Sequence, residues 1–201
     1  MLLSDPRVSA VPVRECGEPL TALGESFGPC RALLRASVAR RLAQARDTLP
    51  QGVGLRVVDG YRTAAAQRAI ISSYAALLRV SHPGAGAAEL DRLISRFVAP
   101  LAVAPHVAGA AADLTLVDCS GRELDLGTPV DATPEQSEGA CYFDAPQVGR
   151  RARANRELLA RALRGAGLVN YPTEWWHWSY GDRYWALVTG APAALFGPVA
   201  R

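Results

Sequence analysis

The sequence predicts an α+β fold in which helices cover one face of a central antiparallel sheet, and two patterns carry this prediction. Apolar residues recur at helical spacing in four stretches, at residues 31–49, 64–80, 87–97 and 150–164. Short apolar or alternating stretches predict strands at 55–59, 113–118 and 168–170. No repeat or low-complexity linker divides the 201 residues. We therefore predict one domain spanning residues 1–201.

The predicted helices have recognisable ends. Pro50 and Gly52 end the first helix, because proline and glycine are poor helix formers. Thr63 is the predicted N-cap of the second helix, since its hydroxyl can accept a hydrogen bond from a free backbone N–H. Gly165 and Gly167 end the fourth helix.

The remaining segments carry weaker signals. Residues 4–30 are rich in proline and glycine and predict a loop, with a short edge strand at 8–13. Ser120-Gly121 predicts a hairpin turn into a return strand at 123–126. Residues 127–149 predict a long loop of the kind that is often functional, and residues 184–188 predict a last strand.

Composition excludes several classes of function. Hydrophobic residues make up 49% of the chain and charged residues 20%, as in a globular protein. The net charge of +3 comes from arginines scattered among acids, so we expect no nucleic-acid partner. No apolar stretch could span a bilayer, and no secretory signal is visible at the N-terminus. We therefore expect a cytoplasmic protein without a membrane partner; the oligomeric state is left open.

The four cysteines, Cys16, Cys30, Cys119 and Cys141, are widely spaced and form no C-x-x-C pair. An even number permits two disulfides, but a chain of this size can bury a sufficient core without them. Buried free thiols are the preferred interpretation.

The chemistry is concentrated in residues 171–180, where Glu174 precedes His177 by three residues among three tryptophans. A metal hydrolase needs such a pair, one group to hold the ion and another to take a proton from water. A strand of core aromatics with a buried histidine is an equally good interpretation of this window alone. The upstream residues decide between the two.

His106 and Asp113 supply that second set of candidate ligands. Gly109 allows a tight turn after His106, and Asp113 begins a predicted strand, which fixes the direction of its side chain. Together with His177 they form a three-ligand set of the kind found in catalytic zinc sites. His82 is a spare candidate that we interpret as a surface residue.

A mechanism follows from this set. Bound Zn²⁺ lowers the pKa of a water ligand toward about 7, and Glu174 would accept the proton and pass it to the leaving amine. Arg62, on a predicted strand-to-helix turn, is the cation that would stabilise the developing oxygen charge. A surface salt bridge is the alternative for Arg62.

The motifs also resemble a known family, the zinc D-alanyl-D-alanine dipeptidases of peptidase family M15, which belong to the wider group of D,D-peptidases. The resemblance runs from about Val11 to Trp185. It is carried, in chain order, by Asp59-Gly60-Tyr61-Arg62, His106-x-x-Gly109-x-Ala111-x-Asp113-Leu114-Thr115-Leu116, Leu126-Gly127-Thr128-Pro129-Val130-Asp131 and Glu174-Trp175-Trp176-His177-Trp178.

The resemblance implies a Hedgehog/D,D-peptidase-like fold and one Zn²⁺ per chain, held by His106, Asp113 and His177. It implies that Glu174 is the catalytic base and that Arg62 stabilises the transition state. The implied substrate-binding residues are Asp131, which would pair with the substrate's amino group, Tyr61 and Trp176. A simple turn-forming role is the alternative for Asp131.

Two departures from the family pattern bear on the substrate. The usual serine two residues before the first ligand is Ala104, so a hydroxyl near the site is missing. The usual proline after Gly-Tyr-Arg is Thr63. Residues 132–149 look individual to this chain and could reshape the mouth of the pocket.

The resemblance thus implies zinc-dependent hydrolysis of D-alanyl-D-alanine or a similar small D,D-dipeptide. One alternative is a D,D-carboxypeptidase or endopeptidase acting on longer cell-wall peptides. The other is a zinc-binding module without catalysis, against which the presence of both Glu174 and Arg62 argues. The biological role, in antibiotic resistance, wall recycling or nutrition, is left open by the sequence.

Overall fold

A computed structural model describes residues 1–199 of the chain. The helices are α1 (Pro6–Ala10), α2 (Ala36–Asp47), α3 (Ala64–Ser81), α4 (Ala87–Ile94), α5 (Arg150–Gly165) and α6 (Arg183–Thr189). The strands are β1 (Leu20–Ala22), β2 (Leu33–Arg35), β3 (Val53–Asp59), β4 (Ala111–Asp118), β5 (Val169–Asn170) and β6 (His177–Ser179). Two single 3-10 turns lie at Glu25–Phe27 and Leu101–Val103.

The central sheet has four strands in the order β3-β4-β6-β5, and every neighbouring pair is antiparallel. A separate two-stranded antiparallel sheet joins β1 to β2. The predicted α+β fold with an antiparallel central sheet is therefore confirmed.

The core lies between this sheet and the helices α2 and α5. Leu114 and Leu116 of β4 are fully buried in it, together with Leu42 of α2 and Leu159 of α5. Because neighbouring side chains in a strand point to opposite faces, Asp113 must face away from these leucines. Burial of the leucine face thus fixes the direction in which Asp113 points.

A second, smaller core holds α3 and α4 together. Tyr74, Ala75 and Leu78 of α3 pack against α4 and the turn that follows it. We call α3, α4 and residues 95–98 the helical hairpin. The hairpin lies beside the sheet face that carries Asp113, since both contribute to the same cavity.

Two predicted strands are wrong, and in each case a helix cap decides the outcome. The edge strand predicted at 8–13 is replaced by α1, where Asp5 accepts a hydrogen bond from the N–H of Arg7 at 2.9 Å. The strand predicted at 184–188 is α6, because Asp182 accepts hydrogen bonds from the N–H groups of Tyr184 and Trp185 at 2.7 and 3.0 Å.

Other elements begin or end at residues that differ from the predicted ones. The first predicted helix begins at Ala36 instead of residue 31, because Leu34 pairs with Thr21 in the small sheet. The predicted return strand at 123–126 is reduced to one bridge between Val117 and Glu123. The predicted helices at 64–80 and 150–164 are confirmed to within one residue, and Thr63 caps α3 as predicted, with its hydroxyl 3.1 Å from the N–H of Ala66.

The cysteines within residues 1–199 are free thiols, as predicted, but the predicted burial is wrong for three of them. Cys16, Cys30 and Cys119 are exposed, and Cys141 is buried in the main core. None of the helices formed by residues 1–199 combines the length and apolar character that a bilayer crossing requires.

Candidate active site

Three predicted ligands converge at the centre of the sheet. Asp113 of β4 lies directly opposite His177 of β6 in the antiparallel register. His106 precedes β4 in a tight turn that closes at Gly109, whose φ of 65° suits glycine. His106 Nε2 lies 3.1 Å from His177 Nδ1, and the Asp113 oxygens lie 3.2 Å and 3.0 Å from those two nitrogens. The candidate ligand atoms are all within 4.8 Å of one another.

The end of β3 orients the His106 ring. His106 Nδ1 lies 2.6 Å from the carbonyl oxygen of Gly60, so Nδ1 carries the proton and donates it there. The lone pair of Nε2 then points toward Asp113 and His177. A side chain at Gly60 would place its Cβ 2.8 Å from the carbonyl oxygen of Leu33. Only glycine allows this approach of β3 to β2, and the approach positions the carbonyl that holds His106.

The charges of the three groups suit a divalent cation. Burial alone would raise the pKa of Asp113, but the neighbouring His106 and His177 hold the pKa well below its usual range. Burial lowers the pKa of His177, which favours the neutral imidazole. Two imidazoles and one carboxylate form a donor set that Zn²⁺ accepts. Within residues 1–199, His177 Nε2 and Asp182 Oδ2 are buried without a hydrogen-bond partner.

Glu174 faces this cluster from the turn before β6. Its Oε2 lies 3.8 Å from His177 Nδ1, and the residue is only 6% exposed. The turn is held by the N–H of Glu174, which donates to the carbonyl of Tyr171 at 2.9 Å. Burial first, and then the charges of Asp113 and Asp131, raise the pKa of Glu174 well above its usual value. A carboxyl with a raised pKa beside a metal-binding cluster is suited to accept and release a proton.

Arg62 lies on the strand-to-helix connection between β3 and α3, as predicted. Its Nε donates to Asp59 Oδ2 at 2.6 Å, and its Nη2 donates to Asp113 Oδ2 at 3.0 Å. Burial lowers the pKa of the guanidinium, but Asp113 and Asp59 outweigh this effect and raise it overall. The guanidinium therefore stays charged, and Asp59 fixes its orientation beside the cluster.

A cavity of about 290 Å³ opens onto these groups. This is just below the range of roughly 300–1,000 Å³ that ligand pockets occupy, so the cavity suits a small ligand. The helical hairpin and the turn after it supply one wall, and the sheet supplies the other. Its lining includes Gln67, Ile70, Phe97, Val98, Asp131, Tyr171, Glu174 and Trp176, in addition to the ligand set and Arg62.

Asp131 lies at the mouth of the cavity with part of its surface in solvent. Partial burial, followed by the negative charge of Asp113, raises the pKa of Asp131 to about 6. Its φ of 63° is in the left-handed region, which aspartate and asparagine tolerate better than most residues. The turn-forming role and the cavity-lining position therefore coexist at Asp131.

The raised pKa of Asp131 predicts a pH-dependent effect on stability. The pKa of its carboxyl is about 6 in the folded chain and 3.8 in the unfolded chain, so the folded state binds the proton more tightly. The stability that this proton contributes is lost as the pH rises through 6. In metal-free protein we expect Asp131→Asn to be more stable than wild type at pH 7, by at most about 1 kcal/mol after solvent screening. The gain should vanish at pH 4. Urea denaturation at both pH values measures it, and Asp144→Asn, at an 89% exposed carboxylate, is the control.

The other predicted residues occupy different positions. All three tryptophans of the 171–180 window are buried in the main core, and Trp176 also lines the cavity. Tyr61 is outside the described lining, with its N–H donated to the carbonyl of Leu33, so its role in substrate binding stays a prediction. His82 caps the C-terminus of α3, away from the cavity.

Sequence reasoning missed Asp59 and the residues that the hairpin brings to the site. The sequence could have indicated Asp59, because it belongs to the same short motif as Arg62, and in the structure it anchors that arginine. Ile70 and Phe97 line the cavity but carry only the apolar spacing of ordinary helix residues. No local signal distinguishes them from core positions.

Comparison with known proteins agrees with this geometry. The sequence model of the family Peptidase_M15, described as D-ala-D-ala dipeptidase, matches residues 26–189. A D-alanyl-D-alanine dipeptidase of Synechocystis sp. is 29% identical over 225 residues, which cover 88% of this chain and 87% of the relative.

Two solved structures share the fold. VanYB in complex with D-alanine-D-alanine is 16% identical with a TM-score of 0.53, covering 86% of this chain and 84% of that one. The D,D-pentapeptidase VanY of the VanB-type vancomycin-resistance cassette, in complex with Zn(II), is 17% identical with a TM-score of 0.54, covering 92% and 90%. Because the family model spans well over half of the sequence, this chain belongs to the D-Ala-D-Ala dipeptidases of peptidase family M15 and is a metallopeptidase.

Proposed function

We propose that this enzyme hydrolyses D-alanyl-D-alanine, or a similar small D,D-dipeptide, with one Zn²⁺ per chain. The observation that carries the proposal is the convergence of His106, Asp113 and His177, with the Glu174 carboxylate beside them, on one small cavity. When bound, Zn²⁺ supplies Lewis-acid activation of a carbonyl and of water at neutral pH.

Glu174 is the proposed proton carrier. Its raised pKa lets Oε2 take a proton from the attacking water and hold it long enough to protonate the leaving amine. The walls around it exclude bulk water, which would otherwise compete for the proton and screen its charge. Trp176, buried beside it and lining the cavity, contributes to that exclusion.

Arg62 is the proposed cationic stabiliser of the carbonyl oxygen as negative charge develops on it. The hydrogen bond to Asp59 fixes the guanidinium, so little reorganisation is needed during the reaction. Its second contact, to Asp113, ties the guanidinium to the metal-binding group.

Arg62→Lys should lower kcat about 100-fold, because a lysine keeps the charge but cannot bridge Asp59 and Asp113. Zinc content, measured by atomic emission, should stay equal to that of wild type. Arg56→Lys is the matched control, since Arg56 pairs with Glu123 outside the cavity. Wild-type kcat in the Arg62 variant would contradict the assigned role.

Asp131 is the proposed partner of the substrate's amino group. Its position at the cavity mouth supports a limit on substrate length, because the ammonium group of a free dipeptide would meet the carboxylate there. Pairing with an ammonium would also relieve the charge repulsion from Asp113 that contributes to its raised pKa.

A metal-dependent hydrolysis screen over D,D-, L,D- and L,L-dipeptides tests the proposal. We expect turnover of D-alanyl-D-alanine that is lost on chelation and restored by Zn²⁺. A D,D-carboxypeptidase would instead prefer the N-acylated dipeptide. Zinc binding without turnover of any peptide would indicate a module that has lost catalysis.

A further inference from the structure

The segment 127–140 separates the cavity from a second hollow. This more open groove, of about 680 Å³, is formed by residues of the segment itself. Asp131 lines both the groove and the catalytic cavity. The two spaces therefore adjoin at Asp131.

Both ends of the segment are attached to the main core. Trp175 Nε1 donates to the Thr128 hydroxyl at 2.8 Å, near the first end. Arg156, which is fully buried, donates to the carbonyl of Ala140 at 2.8 Å at the other end. Asp131 lies three residues after Thr128 and next to Val130, which packs against the main core, and the residues after it carry a further attachment.

Glu135 joins the middle of the segment to the helical hairpin. One carboxylate oxygen accepts a hydrogen bond from the Tyr74 hydroxyl at 2.6 Å, and the other accepts one from Arg96. Burial and the Glu135 carboxylate raise the pKa of Tyr74, so its hydroxyl remains a donor at physiological pH. Arg96 and Glu135 keep only 24% and 31% of their side-chain surface in solvent, which limits screening of the pair.

The contact reaches the cavity through Phe97. The ring of Tyr74 packs on the ring of Phe97 with 5.0 Å between centroids, and Phe97 lines the catalytic cavity. Across the cavity, Asp131 lies four residues before Glu135 in the chain. The Glu135 carboxylate thus links the hairpin wall of the cavity to the segment that carries Asp131.

We propose that this contact of Glu135 with Tyr74 and Arg96, the Glu135 clamp, is a specificity determinant that keeps amino-terminally extended D,D-peptides out of the cavity. The inference rests on the proposed hydrolysis of D,D-dipeptides. With the clamp intact, Asp131 closes the cavity next to the substrate's amino group. With the clamp broken, Asp131 moves away and an acyl extension enters the groove.

The test compares kcat/KM for D-alanyl-D-alanine and for its N-acetyl derivative in Glu135→Gln and Tyr74→Phe. We expect the ratio of acetylated to free substrate to rise about tenfold in Glu135→Gln, because a charge-assisted bond is lost. Tyr74→Phe should move the ratio in the same direction. Zinc content and Tm show that each variant is folded and loaded.

Glu89→Gln is the matched control. Glu89 accepts two hydrogen bonds from Arg92, at 2.9 and 2.6 Å, but both residues belong to the hairpin and the pair does not cross to the segment. In Glu89→Gln the ratio of kcat/KM for the acetylated substrate to kcat/KM for the free substrate should equal that of wild type. An unchanged ratio in both clamp variants would overturn the inference.

Failure of the proposed function gives a different result. If wild type hydrolyses neither peptide, the proposed function fails. The role of the Glu135 clamp is then tested by calorimetry, which compares the dissociation constants of the two peptides in wild type and in the clamp variants. Hydrogen exchange adds a readout that needs no turnover. Residues 127–140 should exchange faster in Glu135→Gln and not in Glu89→Gln, and equal exchange in the two variants would contradict the clamp.

Discussion

Glu174→Gln is expected to lower kcat about 1,000-fold while the protein still binds zinc. The amide keeps the shape of the side chain but cannot accept and return a proton, and general-base groups contribute roughly 10²–10⁴-fold. Because Glu174 lies 3.8 Å from His177 Nδ1 and outside the three-ligand cluster, its loss removes no metal donor. Steady-state kinetics on D-alanyl-D-alanine, combined with metal analysis, measures both outcomes.

The two readouts separate catalysis from metal binding. Zinc should raise the Tm of Glu174→Gln as much as it raises that of wild type, since a ligand that binds only the native state stabilises it. Turnover within tenfold of wild type would refute the base assignment. Glu157→Gln, on the exposed face of α5, is the control for an unrelated glutamate.

Asp113→Ala is expected to remove both metal binding and turnover. Loss of a group that only supports a metal ligand costs about 10–100-fold in affinity, so loss of a ligand should cost at least about 100-fold. The substitution also leaves Arg62 without one of its two acceptors, and it removes the only carboxylate that touches both His106 and His177 among the described residues. Turnover should fall to the background rate.

Calorimetric titration with Zn²⁺ checks this prediction without any assay of activity. The zinc-dependent increase in Tm seen for wild type should be absent in Asp113→Ala. The Asp144→Ala variant, at an exposed carboxylate, should behave as wild type. Tight zinc binding by the Asp113 variant would show that the metal is held elsewhere.

Local signals predicted those parts of the fold that local interactions determine. The helices α3 and α5 were predicted closely because an N-cap at Thr63 and glycines after residue 164 mark their ends. The strand β4 was predicted because one of its faces is uniformly apolar. The convergence of the three candidate ligands could be predicted because short motifs place each histidine or carboxylate next to a strand, and the register of β4 and β6 brings Asp113 and His177 together. Their role as zinc ligands stays a prediction.

Overlooked local helix caps and long-range packing determined the parts of the fold that the sequence did not predict. Tyr184 to Val188 has the composition of a strand, but the carboxylate of Asp182 caps this stretch as a helix. Leu34 has helical spacing with its successors, yet pairing with Thr21 places it in a strand. Ile70 and Phe97 reach the site only because the hairpin packs beside the sheet. A short window of sequence contains no pattern that predicts such packing.

The pairing of Asp113 with His177 has a consequence for how the chain assembles. A displacement of β6 by one residue along β4 would turn the His177 imidazole to the leucine side of the sheet and leave Asp113 and His106 without the third candidate ligand. A cation that needs all three groups would therefore bind only chains in which β4 and β6 have the native alignment. Such binding would stabilise the native alignment over the displaced one.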